Sequence, residues 1–188
     1  MTLTALQNAA LARFAQQGFS ATALAQIAAD VGIKPPSIYA HFKSKEELFI
    51  SLVEPTAEEE LAYVRQALAK PGDSEKVLAG FLRNIERRFE TAPMMRFLLH
   101  SAYLPPQQIS GPVDKIIKRY MNSLDKIILE AFRQIPPGRL PPESLAAAFA
   151  GIVDSLQAEI LYAGKARFRK RMEAMWSLFR LALSPADN

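Results

Sequence analysis

Cysteine is missing from the 188 residues. Its absence excludes a disulfide framework, cysteine-ligated zinc, iron–sulfur clusters and thiol nucleophiles. Histidine is nearly as scarce, with only His41 and His100, so no histidine-rich metal site is expected. Glycine numbers 8 and never falls into GxGxxG or GxxxxGK, which leaves no phosphate-cradling loop. A GxSxG elbow is lacking too. No carboxylate or histidine combination has metal-ligand or general-base spacing. The expectation is a protein that is not an enzyme and needs no cofactor. No apolar run approaches ~18 residues, which predicts no membrane span. Residues 1–20 lack the charged start and apolar centre of a signal peptide, so a cytoplasmic protein is expected. A strong charge of one sign is also lacking: the net +4 points only weakly to nucleic acid. What is present is ordinary for a globular chain, 49% hydrophobic and 22% charged, of a length for one or two domains.

Proline and glycine divide the chain at Gly18, Gly32, Lys70-Pro71-Gly72-Asp73, Ala92-Pro93, Leu104-Pro105-Pro106, Gly111-Pro112, Ile135-Pro136-Pro137-Gly138, Pro141-Pro142 and Gly164. Between these breaks the apolar spacing is helical. Leu24, Ile27, Ala28 and Val31 occupy i, i+3, i+4 and i+7, and Leu3, Leu6, Ala10 and Phe14 share another face. The pattern predicts an all-α chain with helices at 3–17, 23–31, 35–41, 45–69, 74–91, 93–103, 112–134, 142–163 and 166–183. Pro55 predicts a kink or short break near Glu54. Short helices give way to long ones near Ser44, which predicts domains 1–47 and 48–188.

Residues 22–42 carry the most informative pattern. One helix ends at Val31, Gly32 supplies a turn and a second helix follows at once, which is a helix-turn-helix. Thr22 is expected to cap the first helix, and Pro35 suits the first position of the second. Ile38 and Phe42, four apart, can both face the first helix. Lys34, Pro36, Ser37, Tyr39, Ala40 and His41 then lie outside, where the second helix of such a motif reaches base edges. Tyr39 can instead pack on the next helix, His41 can cap its own, and Lys34 can be an ordinary solvated lysine. Ser44-Lys45-Glu46-Glu47 reads as a capping box. The helix start it opens could hold a phosphate, an anion that Lys45 in its first turn would welcome.

Ala9-Ala10, Phe14, Gly18-Phe19, Thr22, Ile27-Ala28, Gly32-Ile33, Ser37-Ile38-Tyr39, His41-Phe42 and Ser44-Lys45-Glu46-x-Leu48 together closely resemble the DNA-binding domain of TetR-type bacterial transcriptional regulators. The resemblance covers roughly residues 3–50. It implies about nine helices, a homodimer and a variable C-terminal domain that binds a small effector. DNA-contact candidates are Thr22, Lys34, Pro35, Pro36, Ser37, Tyr39, Ala40, His41 and Lys45. The family commonly has Ser where Lys34 stands and Gly where Pro36 stands, so the operator is not inherited from a relative. Little chain precedes the first helix, and a basic minor-groove arm is expected to be absent. Residues 1–50 hold Arg13, Lys34, Lys43 and Lys45 against Asp30, Glu46 and Glu47, a net +1. So weakly basic a half needs a second copy to grip DNA.

The expected function is a regulator, a repressor released from double-stranded operator DNA by an apolar or amphipathic effector, with no membrane partner. The alternative is a helical adaptor whose motif serves protein contacts. The Met- and aromatic-rich stretch 94–103 suggests an effector pocket of Phe97, Ser101 and Tyr103 facing Tyr120, Met121 and Leu124, although such a stretch also suits plain core. Two apolar faces suggest the dimer interface: Phe149, Ile152, Val153, Leu156 and Ile160 on one helix, Met172, Trp176 and Phe179 on the next. The basic run Lys165, Arg167, Arg169, Lys170, Arg171 and the acidic run Glu58-Glu59-Glu60 read as solvated faces.

Overall fold

Helices account for every regular element of the computed structural model, which describes residues 3–136 and 139–184. In order they are α1 (Leu3–Ala21), α2 (Leu24–Asp30), a 3-10 helix (Pro35–Ala40), α3 (Lys45–Leu68), α4 (Ser74–Thr91), α5 (Pro93–Tyr103), a 3-10 turn (Gln107–Ile109), α6 (Ser110–Arg133), α7 (Pro142–Tyr162) and α8 (Lys165–Leu183). The all-α class is as the periodicity predicts. Pro137 and Gly138, part of one expected turn, lie outside the described residues. Two compact units are distinguished, one of Met1–Glu59 with Glu90–Arg119, the other of Glu60–Phe89 with Tyr120–Asn188.

The first unit is built on a cluster of four phenylalanines. Phe49 lies 5.1 Å from Phe14, 5.4 Å from Phe19 and 4.8 Å from Phe97, ring centre to ring centre. Edge-on and tilted pairs of this kind add to the burial of large apolar area. Leu6, Ala10, Ile27, Ile38 and Leu48 close around them. Phe97 is therefore core of this unit rather than pocket wall.

α1 changes direction at Gly18, whose φ of 78° leaves the helical region. α2 ends in a Schellman motif: Ile33 N donates to Ala28 O at 2.9 Å and Gly32 N to Ala29 O at 3.1 Å. The motif needs a left-handed residue, and Gly32 supplies it at φ 72°.

α3 runs unbroken through Pro55, against the expected interruption. Ser51 and Thr56 hydroxyls donate to the carbonyls of Leu48 and Leu52 on either side of the proline.

The second unit has its own phenylalanine cluster. Phe149 lies 5.5 Å from Phe132, 5.7 Å from Phe179 and 6.0 Å from Phe81. α7 and α8 form a hairpin in which the strongest apolar stripe turns inward. Phe149, Ile152, Val153, Leu156, Ile160 and Phe179 are all buried within the single chain. Met172 and Trp176 are half-buried. The stripe expected to form the dimer interface is thus the protomer's own core. The outward face of α7 is lined by Ala147, Ala148 and Gly151, with Tyr162 exposed near its end. α8 exposes Leu178 and Leu181, 72% and 63% accessible. By length and composition alone α7 would also be apolar enough to cross a membrane. Its buried stripe, with Asp154 and Glu159 on the same helix, is that of a packed core helix.

The acidic and basic runs are less solvated than expected. Glu60 is buried and receives Arg88 at 2.6 and 2.5 Å, while the Arg88 guanidinium lies 3.5 Å from the Tyr63 ring centre. Arg167 and Arg171 converge on Glu159, and Arg169 on Glu86. Arg167, Arg169 and Arg171 of the basic run are thus engaged by carboxylates of their own unit, while Lys170 stays exposed.

Candidate nucleic-acid interface and ligand cavity

Ile38 is fully buried and Phe42 nearly so, and their anchoring turns the rest of the segment outward. Lys34, Pro35, Pro36, Ser37, Tyr39, Ala40 and His41 are all exposed, Tyr39 at 58%. The segment is a six-residue 3-10 helix, not the α-helix expected. Two prolines at its start supply no N–H groups, and the bonds that close it run three residues back: Ser37 N to Lys34 O and His41 N to Ile38 O, both 2.9 Å.

Two further candidates differ from expectation. Thr22 does not cap α2. Its hydroxyl is buried and donates 2.7 Å to Gly18 O, closing the end of α1. Ala23 takes the cap position, and the Gln26 side chain accepts from Ala23 N at 3.0 Å. Thr22 therefore offers no free hydroxyl to a phosphate.

Lys45 also turns inward. Its Nζ donates to Phe19 O at 2.8 Å and Thr22 O at 2.9 Å, and stands 4.3 Å from the Phe19 ring centre. Two carbonyls and an aromatic face, rather than an anion, settle the cation at this helix start. The capping box is half formed. Glu47 N donates to Ser44 Oγ at 3.2 Å, but the Glu47 carboxylate accepts from Lys43 N, one residue before the cap. Glu46 is held below the usual carboxylate range by its own backbone N–H, by Ser44 and by Lys45. The helix start is occupied by its own side chains.

Arg13 forms a two-pronged bond to Asp30, both contacts 2.6 Å. This bond raises the arginine and lowers the aspartate from their ordinary values. It ties α1 to α2 and removes one cation from the surface count. Of the four basic residues in positions 1–50, Lys34 and Lys43 are the two left exposed without such a tether. A shallow cleft runs beside the segment, bounded by residues 20–25, Pro35, Tyr39 and Lys45.

The six expected pocket residues are divided between the two units. Phe97 and Ser101 are buried in the first unit, where Ser101 Oγ donates to Phe97 O at 2.8 Å. Tyr120 and Leu124 are buried in the second, while Tyr103 and Met121 are half-buried. None of the six lines the cavity of about 690 Å³ found within the second unit. That cavity is bounded by the end of α3, the 70–72 turn, the start of α4 and the last turns of α6. The Met- and aromatic-rich stretch 94–103 buries Met95, Phe97, Leu98, Leu99 and Ser101. The available signal was different: the Lys70-Pro71-Gly72 turn, and Arg65 near the end of α3 with no carboxylate three or four residues away.

Residues 6–52 match the family described as bacterial regulatory proteins, tetR family. The chain is 39% identical over 67 residues to the uncharacterized HTH-type transcriptional regulator YerO of Bacillus subtilis, covering 36% of this chain and 21% of that protein. It is 35% identical over 96 residues to the HTH-type transcriptional regulator AcrR of Shigella flexneri, covering 49% and 43%. The matched stretches thus span less than half of these curated relatives. Among solved structures, FadR from Bacillus subtilis in complex with stearoyl-CoA superposes with a TM-score of 0.65 at 17% identity, covering 95% of this chain and 97% of that one. At that identity the likeness concerns the fold.

Proposed function

We propose that this chain, whose residues 6–52 match the TetR-type family of bacterial regulators, is a cytoplasmic DNA-binding transcriptional regulator. It acts as a homodimer and leaves its operator when a small apolar or amphipathic effector binds. The observation that carries this reading is the exposed edge Lys34-Pro35-Pro36-Ser37-Tyr39-Ala40-His41, presented by a segment whose other side is anchored through Ile38 and Phe42. Lys34 meets phosphate, and Tyr39, Ser37 and His41 contact phosphate or base edges. Backbone and hydroxyl donors supply much of the grip, since Arg13 and Lys45 are tethered within the chain. The second copy docks on the outward faces of α7 and α8, through Gly151, Tyr162, Leu178 and Leu181, because a two-fold axis lets each exposed patch cover its own copy.

The effector biases two arrangements of the DNA-binding units, one of which fits successive major grooves. A fold relative holding stearoyl-CoA supports an effector with apolar character.

The test is a titration of DNA from upstream of the encoding gene by fluorescence anisotropy. Tyr39→Ala should weaken binding about tenfold or more while circular dichroism stays normal. Leu178→Glu with Leu181→Glu should give monomers by sedimentation and much weaker DNA binding. Unchanged affinity in both variants rejects this interface.

A further inference from the structure

The 690 Å³ cavity is chemically divided. Leu68, Val77, Leu78, Ile127, Ala131 and Ile135 give it an apolar wall. Arg65, Lys70 and Lys126 bring three positive charges to it, against the single carboxylate of Glu130. That carboxylate already accepts from Gln134 Nε2 at 3.1 Å, one turn along α6. Arg65, Lys70 and Lys126 have no ion-pair partner among the described residues. The same unit ties Arg88 to Glu60, Arg133 to Glu143, Arg169 to Glu86 and Arg180 to Glu75. Glu130, one helical turn from Lys126, offsets at most one of the three charges, and the excess of positive charge left around an apolar cavity favours an anion.

We propose that this cavity binds an amphipathic anion, with its hydrocarbon chain along the apolar wall and a carboxylate or phosphate head among Arg65, Lys70 and Lys126. The volume lies in the usual range for small-molecule sites. Arginine offers a planar fork to either head group, and the two lysines add point charge. The chain contributes affinity in proportion to the methylenes it buries, about fourfold for each until it outgrows the wall. The inference rests on the reading of the second unit as the effector-binding part, and it names the class of effector.

Isothermal titration of the full chain without DNA tests it. The probes are octanoate, dodecanoate, dodecyl phosphate, dodecanol and dodecyltrimethylammonium, each below its micelle concentration. Dodecanoate or dodecyl phosphate should bind at least tenfold tighter than dodecanol and the ammonium, and octanoate should bind more weakly than dodecanoate. The carboxylate and phosphate arms show which head the site prefers. Arg65→Glu with Lys126→Glu should cut anion affinity at least tenfold with unchanged thermal melting, because both side chains are exposed. Ile127→Trp, which fills the wall, should weaken every probe. Equal affinity for dodecanol and dodecanoate, no binding at all, or wild-type affinity in Ile127→Trp overturns the proposal. Adding dodecanoate to the operator complex is the separate arm. Binding that leaves operator affinity unmoved overturns the effector reading above and leaves the anion site standing.

Discussion

Two sets of cations in this molecule are handled in opposite ways. In the N-terminal motif, Arg13 is clasped by Asp30 and Lys45 is folded onto two carbonyls and a phenyl ring. Around the cavity, Arg65, Lys70 and Lys126 stand free. A count of charges along the sequence would assign the nucleic-acid role to whichever region is more basic. The structure separates charge that shapes the chain from charge held ready for a ligand. The motif spends half its cations on its own geometry, and the cavity spends none.

The largest effect comes from breaking a shaping pair where it is buried. Arg88→Met should destabilise the fold by about 3–5 kcal/mol, because Glu60 is left charged and buried. Lys126→Met, at a free cation, should stay within about 0.5 kcal/mol. Urea melts of the two variants compare them directly, and similar losses would erase the distinction.

Next is a comparison inside the motif. Lys45→Ala should cost about 1–2 kcal/mol of stability through its lost carbonyl bonds. Lys34→Ala should leave stability alone and weaken operator binding. Denaturant melts and anisotropy on the same two proteins decide it. A Lys45→Ala chain of wild-type stability would return that lysine to the DNA-contact set.

Salt sharpens the contrast further. With Lys34 and Lys43 free in each of two protomers, the logarithm of DNA affinity should fall with that of salt at a slope of about −4. Arg13→Gln should leave the slope unchanged, and Lys34→Ala should make it shallower. A wild-type slope steeper than about −7 would mean that other cations reach the duplex.

The smallest expected effect is on pH dependence. Burial first, then Arg96, holds the His100 pKa below its ordinary 6.5. The folded state therefore binds this proton less readily than the unfolded chain. Stability should be complete above pH 6.5 and decline as pH falls from there through the lowered value. His100→Gln should flatten that decline in melts between pH 7.5 and 5. An unaltered profile would assign the decline to other groups.

Much of this architecture was legible in the chain. The exposed edge could be read because Ile38 and Phe42 sit four apart beside a turn glycine, which leaves little freedom over what faces out. The direction of Thr22 could not. A threonine between two short helices can close the first or cap the second, and only the left-handed turn at Gly18 decides for the first. The α7 face was misread for a related reason. That helix carries apolar residues almost all round, so periodicity shows that a stripe is buried without saying whether the chain itself or a second copy covers it. The large residues went to the protomer's core and the small ones outward. The cavity escaped because the turn joining α3 to α4 meets the last turns of α6, distant in sequence, and neither stretch carries a periodic mark of its own.

The 3-10 form of the segment after Gly32 changes what kind of reader it is. Each residue advances about 2.0 Å instead of the 1.5 Å of an α-helix, and positions three apart eclipse one another. Pro36 and Tyr39 therefore stand one above the other, about 6 Å apart along the axis, close to two steps of the ~3.4 Å base stack. Such an element works as a short ruler laid along one row rather than a spiral sampling several. Each half-site should then tolerate substitution at most positions and resist it at two or three neighbouring base pairs. Much of the discrimination between operators would pass to the distance between half-sites.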